Sequence, residues 1–200
     1  MGRRELDNYP TPGRLTQPLL EKVPVTGVVL EPCAGAGQIA DVLRGSRGIE
    51  CVFVNDINPA YSAQTYDAAD PGSSLWRVAT GWVDWVVTNP PYKLAMPILA
   101  NAWGAARVGV AFLLRLSFLE PTNGRAAWLQ EHEEELSDVL VFGGPRPSFT
   151  DDGRTDSATV AWMVWRRNWR EGTTVRFVTG WTGAAAIDRT GAGPAHRDGG

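Results

Sequence analysis

Val28-Val29-Leu30-Glu31-Pro32-Cys33-Ala34-Gly35-Ala36-Gly37 is the stretch on which the fold turns. An apolar run of strand length stops at a proline, turns on two glycines, and leads into residues 38–44, whose apolar spacing is helical. Glycine at 35 and 37 lets the backbone bend tightly and approach a ligand with no side chain in the way. A strand, a glycine turn and a helix in that order open a βαβ unit, the repeating piece of a doubly wound sheet with ligand sites at its strand ends.

On either side of this turn, short apolar runs alternate with longer stretches of helical character. Residues 27–30, 51–55, 85–88, 108–114, 139–142 and 159–165 read as strands, and 38–44, 94–106 and 125–136 as helices. The alternation predicts an α/β fold with a mostly parallel sheet covered by helices on both faces. A loop rather than a helix joins the last two strands, which predicts an antiparallel hairpin at one sheet edge. Residues 1–182 are expected to form one domain, and the small, polar residues 183–200 a flexible tail. There is no internal repeat and no heptad pattern.

With 200 residues, 44% hydrophobic and 20% charged, the chain has the composition of an ordinary globular protein with a substantial core. Its two cysteines, Cys33 and Cys51, lie in apolar runs that read as buried, which argues against a disulfide framework and for a reducing compartment. No apolar stretch follows Met1-Gly2-Arg3-Arg4-Glu5, and no segment approaches the roughly 20 apolar residues of a membrane span, so the expected location is the cytoplasm. His132 and His196 have no ligand spacing around them, so no metal is expected. The net charge of -3 works against holding a polyanion. Arg146, Arg154, Arg166, Arg167, Arg170 and Arg176 gather late in the chain, either as a local basic face or as scattered solvated residues.

A second apolar run ends Phe53-Val54-Asn55-Asp56-Ile57, about 20 residues after the glycine turn, where dinucleotide-type sites place an acid on the ribose hydroxyls. Asp56 is then the ribose ligand and Ile57 lies against the adenine ring; Asp56 equally suits a turn ahead of Asn58-Pro59. Ala40 stands where a third glycine falls in nicotinamide-binding folds, and because alanine occurs there, the spacing alone admits that cofactor too.

A third run, Asp84-Trp85-Val86-Val87-Thr88, stops at Asn89-Pro90-Pro91-Tyr92. Proline has no N–H for a sheet ladder, so the strand ends there, and the residue before each proline is held extended. Such rigidity suits one chemistry. An amine on an adenine ring or an amide carbonyl shares its lone pair with the π-system and attacks poorly until its hydrogens are drawn toward acceptors. The Asn89 side-chain carbonyl and the Pro90 backbone carbonyl can take one N–H each, and Tyr92 offers a face for stacking the acceptor plane.

The first stretch resembles motif one of class I S-adenosylmethionine methyltransferases, in which an acid, here Glu31, precedes the glycines. With Asn89-Pro90-Pro91-Tyr92, the chain looks like the adenine-specific DNA methyltransferases, most of all their compact, phage-type members. The resemblance covers roughly residues 9–165. It includes Tyr9-Pro10-Thr11-Pro12, Phe112-Leu113-Leu114-Arg115, Phe118-Leu119-Glu120, Arg146-Pro147-Ser148-Phe149 and Trp162-Met163-Val164-Trp165.

The resemblance implies a Rossmann-like seven-stranded sheet, S-adenosylmethionine as cofactor, and methyl transfer to the N6 amine of adenine in DNA. It implies catalytic roles for Asn89, Pro90, Pro91 and Tyr92, and cofactor contacts from Thr11, Glu31, Pro32, Gly35, Gly37, Asp56, Ile57 and Asn89. Thr11 would lie against the cofactor's methionine end. An acid after the third strand contacts the cofactor's adenine amine in that family, for which Asp67 fits best and Asp70 is the rival. Arg115, Ser117, Phe118, Arg146, Ser148, Phe149 and Arg154 combine the charge, hydroxyls and rings that suit a displaced strand and its target base. Trp76, Trp82, Trp85, Trp162, Trp165 and Trp169 can also stack bases, though most read as core or strand-edge residues.

Two departures stand out. Around residues 117–125 and 142–157 there is room only for short insertions in place of a target-recognition region, so sequence specificity is expected to be slight. The acidic run Glu131-His132-Glu133-Glu134-Glu135 is expected to be a solvated helix face turned away from any phosphate. The other readings are an enzyme that methylates a protein glutamine amide or an amine in RNA, and an inactive cofactor-binding partner module.

Overall fold

The computed structural model describes residues 11–122, 124–144, 146, 147, 149 and 158–181. Tyr9, Pro10, Ser148, Arg154, His196 and the expected tail at 183–200 lie outside the described residues. A one-turn 3-10 helix, Gly13–Leu15, leads into α1 (Gln17–Lys22), β1 (Gly27–Glu31), α2 (Gln38–Arg44) and β2 (Ile49–Val54). Then come α3 (Ser74–Ala79), β3 (Trp85–Thr88), α4 (Ala95–Ala105), β4 (Gly109–Arg115), α5 (Ala126–Glu131), β5 (Leu136–Phe142), β6 (Val160–Arg166) and β7 (Thr174–Val178).

The strands form a seven-stranded sheet in the order β2-β1-β3-β4-β6-β5-β7. β6 runs antiparallel to both its neighbours, and the other pairings are parallel. Central strands have two faces to bury. β3 is buried at all four residues and β4 and β6 at six of seven, which is why they read as unbroken apolar runs. One core packs Val86, Phe112, Leu114, Met163 and Trp165 under Trp76, Leu99 and Trp103 of α3 and α4. The other packs Val29, Val87, Leu113, Trp162 and Val164 under Leu15, Leu19, Ile39 and Leu43 from the opposite side. Trp85, Trp162 and Trp165 are core, whereas Trp82 is 74% exposed.

The antiparallel hairpin is present, but β7 adds outside it, parallel to β5. β7 escapes a pattern search because Val175, Arg176 and Phe177 are all exposed, leaving no clean alternation. α1 and α3 escape it at six residues each, under two turns. α5 stops at Glu131 rather than continuing to 136, because Leu136 is taken by β5. The acidic run is therefore a turn and not a helix face, and Glu134 and Glu135 meet Arg170. Cys51 is exposed rather than buried, since β2 is an edge strand; Cys33 is half-buried, and both thiols are free.

Four of the late arginines, Arg166, Arg167, Arg170 and Arg176, are occupied within the fold. Arg166 bonds the buried Asp138 at 2.6 Å, with Arg176 3.5 Å from the same carboxylate. Arg167 lies over the Trp103 ring and donates to the Trp103 and Ala106 carbonyls, and Arg170 pairs with the two glutamates. Register places Arg166 level with Gly109, and Gly109 level with Trp85. This cluster thus sits at the edge where β3 and β4 begin, opposite the end where β3 reaches Asn89. Among the described residues no helix is long and apolar enough to cross a membrane.

Gly109 is where the sheet has least room. A β-carbon there would lie 2.6 Å from the Trp165 carbonyl oxygen and 2.8 Å from the Trp85 ring. Gly109→Ala is expected to lower unfolding stability by about 1–3 kcal/mol, the usual scale of core overpacking. Urea unfolding measures it, and a midpoint equal to wild type would show that β3 and β4 can separate at no cost.

Candidate active site

Sheet order reverses between β1 and β3. β1 crosses through α2 to β2 on one side, β3 crosses through α4 to β4 on the other, and the loops leaving the two strand ends part to open a crevice. The glycine turn follows β1, Asp56 follows β2 and Asn89 follows β3, so the three stretches singled out in the sequence converge at this crevice.

The turn needs its glycines, since Gly35 has φ 52 and Gly37 φ 85, values that a side chain strains. Asp56 fixes the turn to the next strand end: its Oδ2 accepts the Gly35 N–H at 2.8 Å and its Oδ1 accepts the Asn58 N–H at 2.8 Å. Each carboxylate oxygen keeps a second lone pair for a hydroxyl. Asp56 therefore makes the turn contact and stays half-buried at the crevice, with Ile57 beside it 56% exposed.

Asn55 lies in the stretch that ends the second strand, but the sequence alone gives it no role. It is fully buried, and its Nδ2 donates to the Pro32 and Tyr66 carbonyls while its Oδ1 accepts the Tyr66 N–H, all at 2.9 Å. One amide thus clips the start of the glycine turn, the end of β2 and the segment before Asp67. The available signal was a polar side chain, ahead of an acid, closing an apolar strand.

Glu31 ends β1 at 1% exposure. Its carboxyl is pushed well above the ordinary glutamate value of 4.5, first by burial and further by the charges of Asp56 and Asp41, against the Ala40 N–H and Arg44. Ala40 is in the first turn of α2, whose N-cap Gly37 has no side chain to offer. Glu31 caps the helix from the preceding strand, and its Oε2 has no hydrogen-bond partner. The Cys33 thiol is likewise pushed up, by burial and then by Asp56 and Glu31, so it stays protonated.

At the end of β3, Asn89 is half-buried and its Nδ2 donates to Thr11 Oγ1 at 2.8 Å. Pro90 is buried, and Tyr92 opens a one-turn 3-10 helix, Tyr92–Leu94, closed by the Leu94 N–H on the Pro91 carbonyl. The Arg115 guanidinium lies 4.6 Å from the centre of the Tyr92 ring and covers one of its faces.

Asp67 and Asp70 are both exposed, and each closes a small turn by accepting an N–H two residues on. Asp67 is near enough to the glycine turn for its charge to act on Cys33. It lies in the irregular segment between β2 and α3, ahead of the third strand and not after it. Ser117 and Arg146 are exposed. Phe118 is 7% exposed and Phe149 3%; both rings are packed in the core, so neither presents a face to a ligand. Among the described residues no group of His, Cys, Asp or Glu is arranged to hold a metal ion.

No protein-family profile and no curated protein sequence matches the chain. Solved structures do. A class I S-adenosylmethionine-dependent methyltransferase from Listeria monocytogenes, itself so assigned provisionally, superposes with TM-score 0.60 at 10% identity over 90% of this chain and 69% of its own. The type IIG restriction endonuclease BpuSI gives 0.61 at 14% over 84% of this chain and 26% of its own. The methyltransferase subunit of a type I restriction-modification system from Streptococcus thermophilus gives 0.55 at 15% over 80% and 45%. The chain thus spans less than half the length of both restriction-system proteins. The sheet order, its antiparallel β6 and these superpositions together identify the class I S-adenosylmethionine-dependent methyltransferase fold.

Proposed function

We propose that the chain transfers a methyl group from S-adenosylmethionine to the N6 amine of adenine in DNA. The observation that carries the reading is the Asn89 amide: with Nδ2 engaged by Thr11, its Oδ1 is the end left to accept from an incoming amine. The crevice residues suit the cofactor. The unpartnered Glu31 oxygen calls for a cationic donor such as the methionyl ammonium, and Asp56 has lone pairs for ribose hydroxyls. Pro32, Gly35 and Gly37 shape the backbone that would lie along it, Ile57 offers an apolar face to its adenine, and Asp67 an acceptor for its adenine amine. When bound, S-adenosylmethionine supplies an electrophilic methyl group on a sulfonium.

The chain's own residues prepare the acceptor. Asn89 Oδ1 and the Pro90 carbonyl take the two amine hydrogens, drawing the nitrogen lone pair out of conjugation and holding it in line for attack. Each such bond contributes only about 1 kcal/mol net, so placement outweighs bond strength, and the two prolines supply it. Tyr92, backed by Arg115, stacks the base. The likeness to restriction-modification methyltransferase subunits supports a nucleic-acid acceptor.

One observation favours a second reading, an amine in RNA or a glutamine amide in protein. Arg166, Arg167, Arg170 and Arg176 are held by groups of the fold at the far edge of the sheet, so these four add nothing to a phosphate-binding face at the crevice.

Incubation with methyl-labelled cofactor and unmethylated DNA, RNA and protein fractions is expected to label N6 of adenine in DNA. Label confined to RNA or protein selects the second reading, and binding without turnover selects an inactive partner module. Asn89→Ala is expected to lower the rate by about 100- to 1,000-fold, the scale for one pre-oriented polar group at a reacting centre. Its cofactor affinity should stay within a few-fold, and an undiminished rate would remove Asn89 from the chemistry.

Glu31 predicts a pH effect in the free protein. Its folded-state pKa is raised above 4.5, so its contribution to stability is complete below that value and is lost as pH rises through the folded value. Glu31→Gln, neutral throughout, should melt close to wild type near pH 4.5 and progressively above it toward pH 8, while binding cofactor more weakly. Thermal scans across that range check the first part; a difference in melting temperature that does not grow with pH contradicts it.

A further inference from the structure

The family resemblance makes Thr11 a contact for the cofactor's methionine end, and in the fold its side chain meets Asn89. We infer that Thr11 is a positioning residue for Asn89, holding its side chain in the rotamer that presents the amide to the acceptor amine. The inference rests on the proposed methyl transfer.

Three observations carry it. Thr11 and Asn89 are 78 positions apart in the chain, yet their side chains meet at 2.8 Å, and Thr11 is 6% exposed. Thr11 precedes Pro12, which restricts its backbone to extended conformations and leaves little but its side-chain rotamer free. The segment is also fastened behind it. Leu15 is fully buried, its carbonyl accepts the Trp162 Nε1–H at 2.7 Å, and the Arg14 guanidinium lies 5.2 Å from the centre of the Trp181 ring. A strand in the middle of the sheet therefore fixes where the Thr11 hydroxyl stands.

An anchoring partner matters at Asn89 because a side chain free to leave its rotamer withdraws Oδ1 from the acceptor amine, which then loses the group that draws its hydrogens away. One net hydrogen bond biases such an equilibrium by roughly five- to tenfold.

Thr11→Val keeps the shape and removes the hydroxyl. At saturating cofactor, its kcat is expected to fall roughly five- to tenfold while calorimetric cofactor affinity stays within about twofold, with Thr11→Ser restoring most of the rate. Weaker cofactor binding with kcat unchanged assigns Thr11 to the cofactor alone and overturns the inference, as does a Ser variant no better than Val. In the free protein, the Asn89 side-chain amide resonances, assigned by their loss in Asn89→Asp, should shift in Thr11→Val and hold in Thr11→Ser. Resonances unmoved by Thr11→Val overturn the inference whatever the activity. If Thr11→Val does not fold, Thr11→Ala gives the same readouts. Wild-type protein that methylates nothing while the resonances shift as expected sinks the methyl-transfer reading alone.

Discussion

The handedness of the connection between parallel strands is the constraint on which this structure depends. A right-handed crossover from β1 through α2 puts that helix on one face, and the same hand applied from β3 through α4 puts the second helix on the other. Two adjacent strands whose chains leave in opposite directions cannot close over their own ends. The crevice is thus a consequence of strand order, and it exists before any side chain is chosen. What the sequence adds is what stands at its rim: a glycine turn on one strand, and a proline-stiffened stop on the next.

Side-chain hydrogen bonds between loops then turn a crevice into a defined site. Asp56 ties the glycine turn to β2, Asn55 ties both to the segment that carries Asp67, and Thr11 ties the chain before α1 to Asn89. None of the three joins neighbours in sequence. Each is made by a short polar side chain, and short side chains carry little rotamer entropy into the folded state. Such contacts can keep the site shaped because they sit at the ends of strands whose positions the two cores have already fixed.

The parts legible in sequence were those governed by local rules. β1, β3 and α2 follow from apolar runs and their stops, and the residues at the crevice follow because glycine, aspartate and Asn-Pro-Pro each mark the end of an element. What escaped depends on neighbours that no local pattern specifies. Phe118 and Phe149 look like stacking platforms by residue type, but a ring beside a loop goes wherever apolar area is removed from water, and here that is the core. Arg166, Arg167, Arg170 and Arg176 look like a basic face. Their partners Asp138, Glu134 and Glu135 and the carbonyls closing α4 come from other elements, and only the sheet register brings them together. Cys51 looks buried in an apolar run, but β2 has a strand on one side only.

Those arginines also decide the electrostatics of the crevice by their absence from it. With them spent at the edge where β3 and β4 begin, the groups around the glycine turn include three carboxylates: Asp56 acts on Glu31, and Asp56, Glu31 and Asp67 all act on Cys33. A low-dielectric crevice lined by one sign of charge attracts the other. Glu31 carries the strain most directly, buried with one oxygen unpartnered and its carboxyl raised toward neutrality. A ligand that brings positive charge lets that carboxyl ionise, so part of its binding energy is relief of a cost already built into the fold, and binding should stabilise the protein correspondingly. The same field repels phosphate. Under the proposed methyl transfer, an anionic acceptor would be held by contacts outside the crevice and would send only its neutral reacting group between Asn89 and Tyr92, which separates the place where the acceptor is gripped from the place where it reacts.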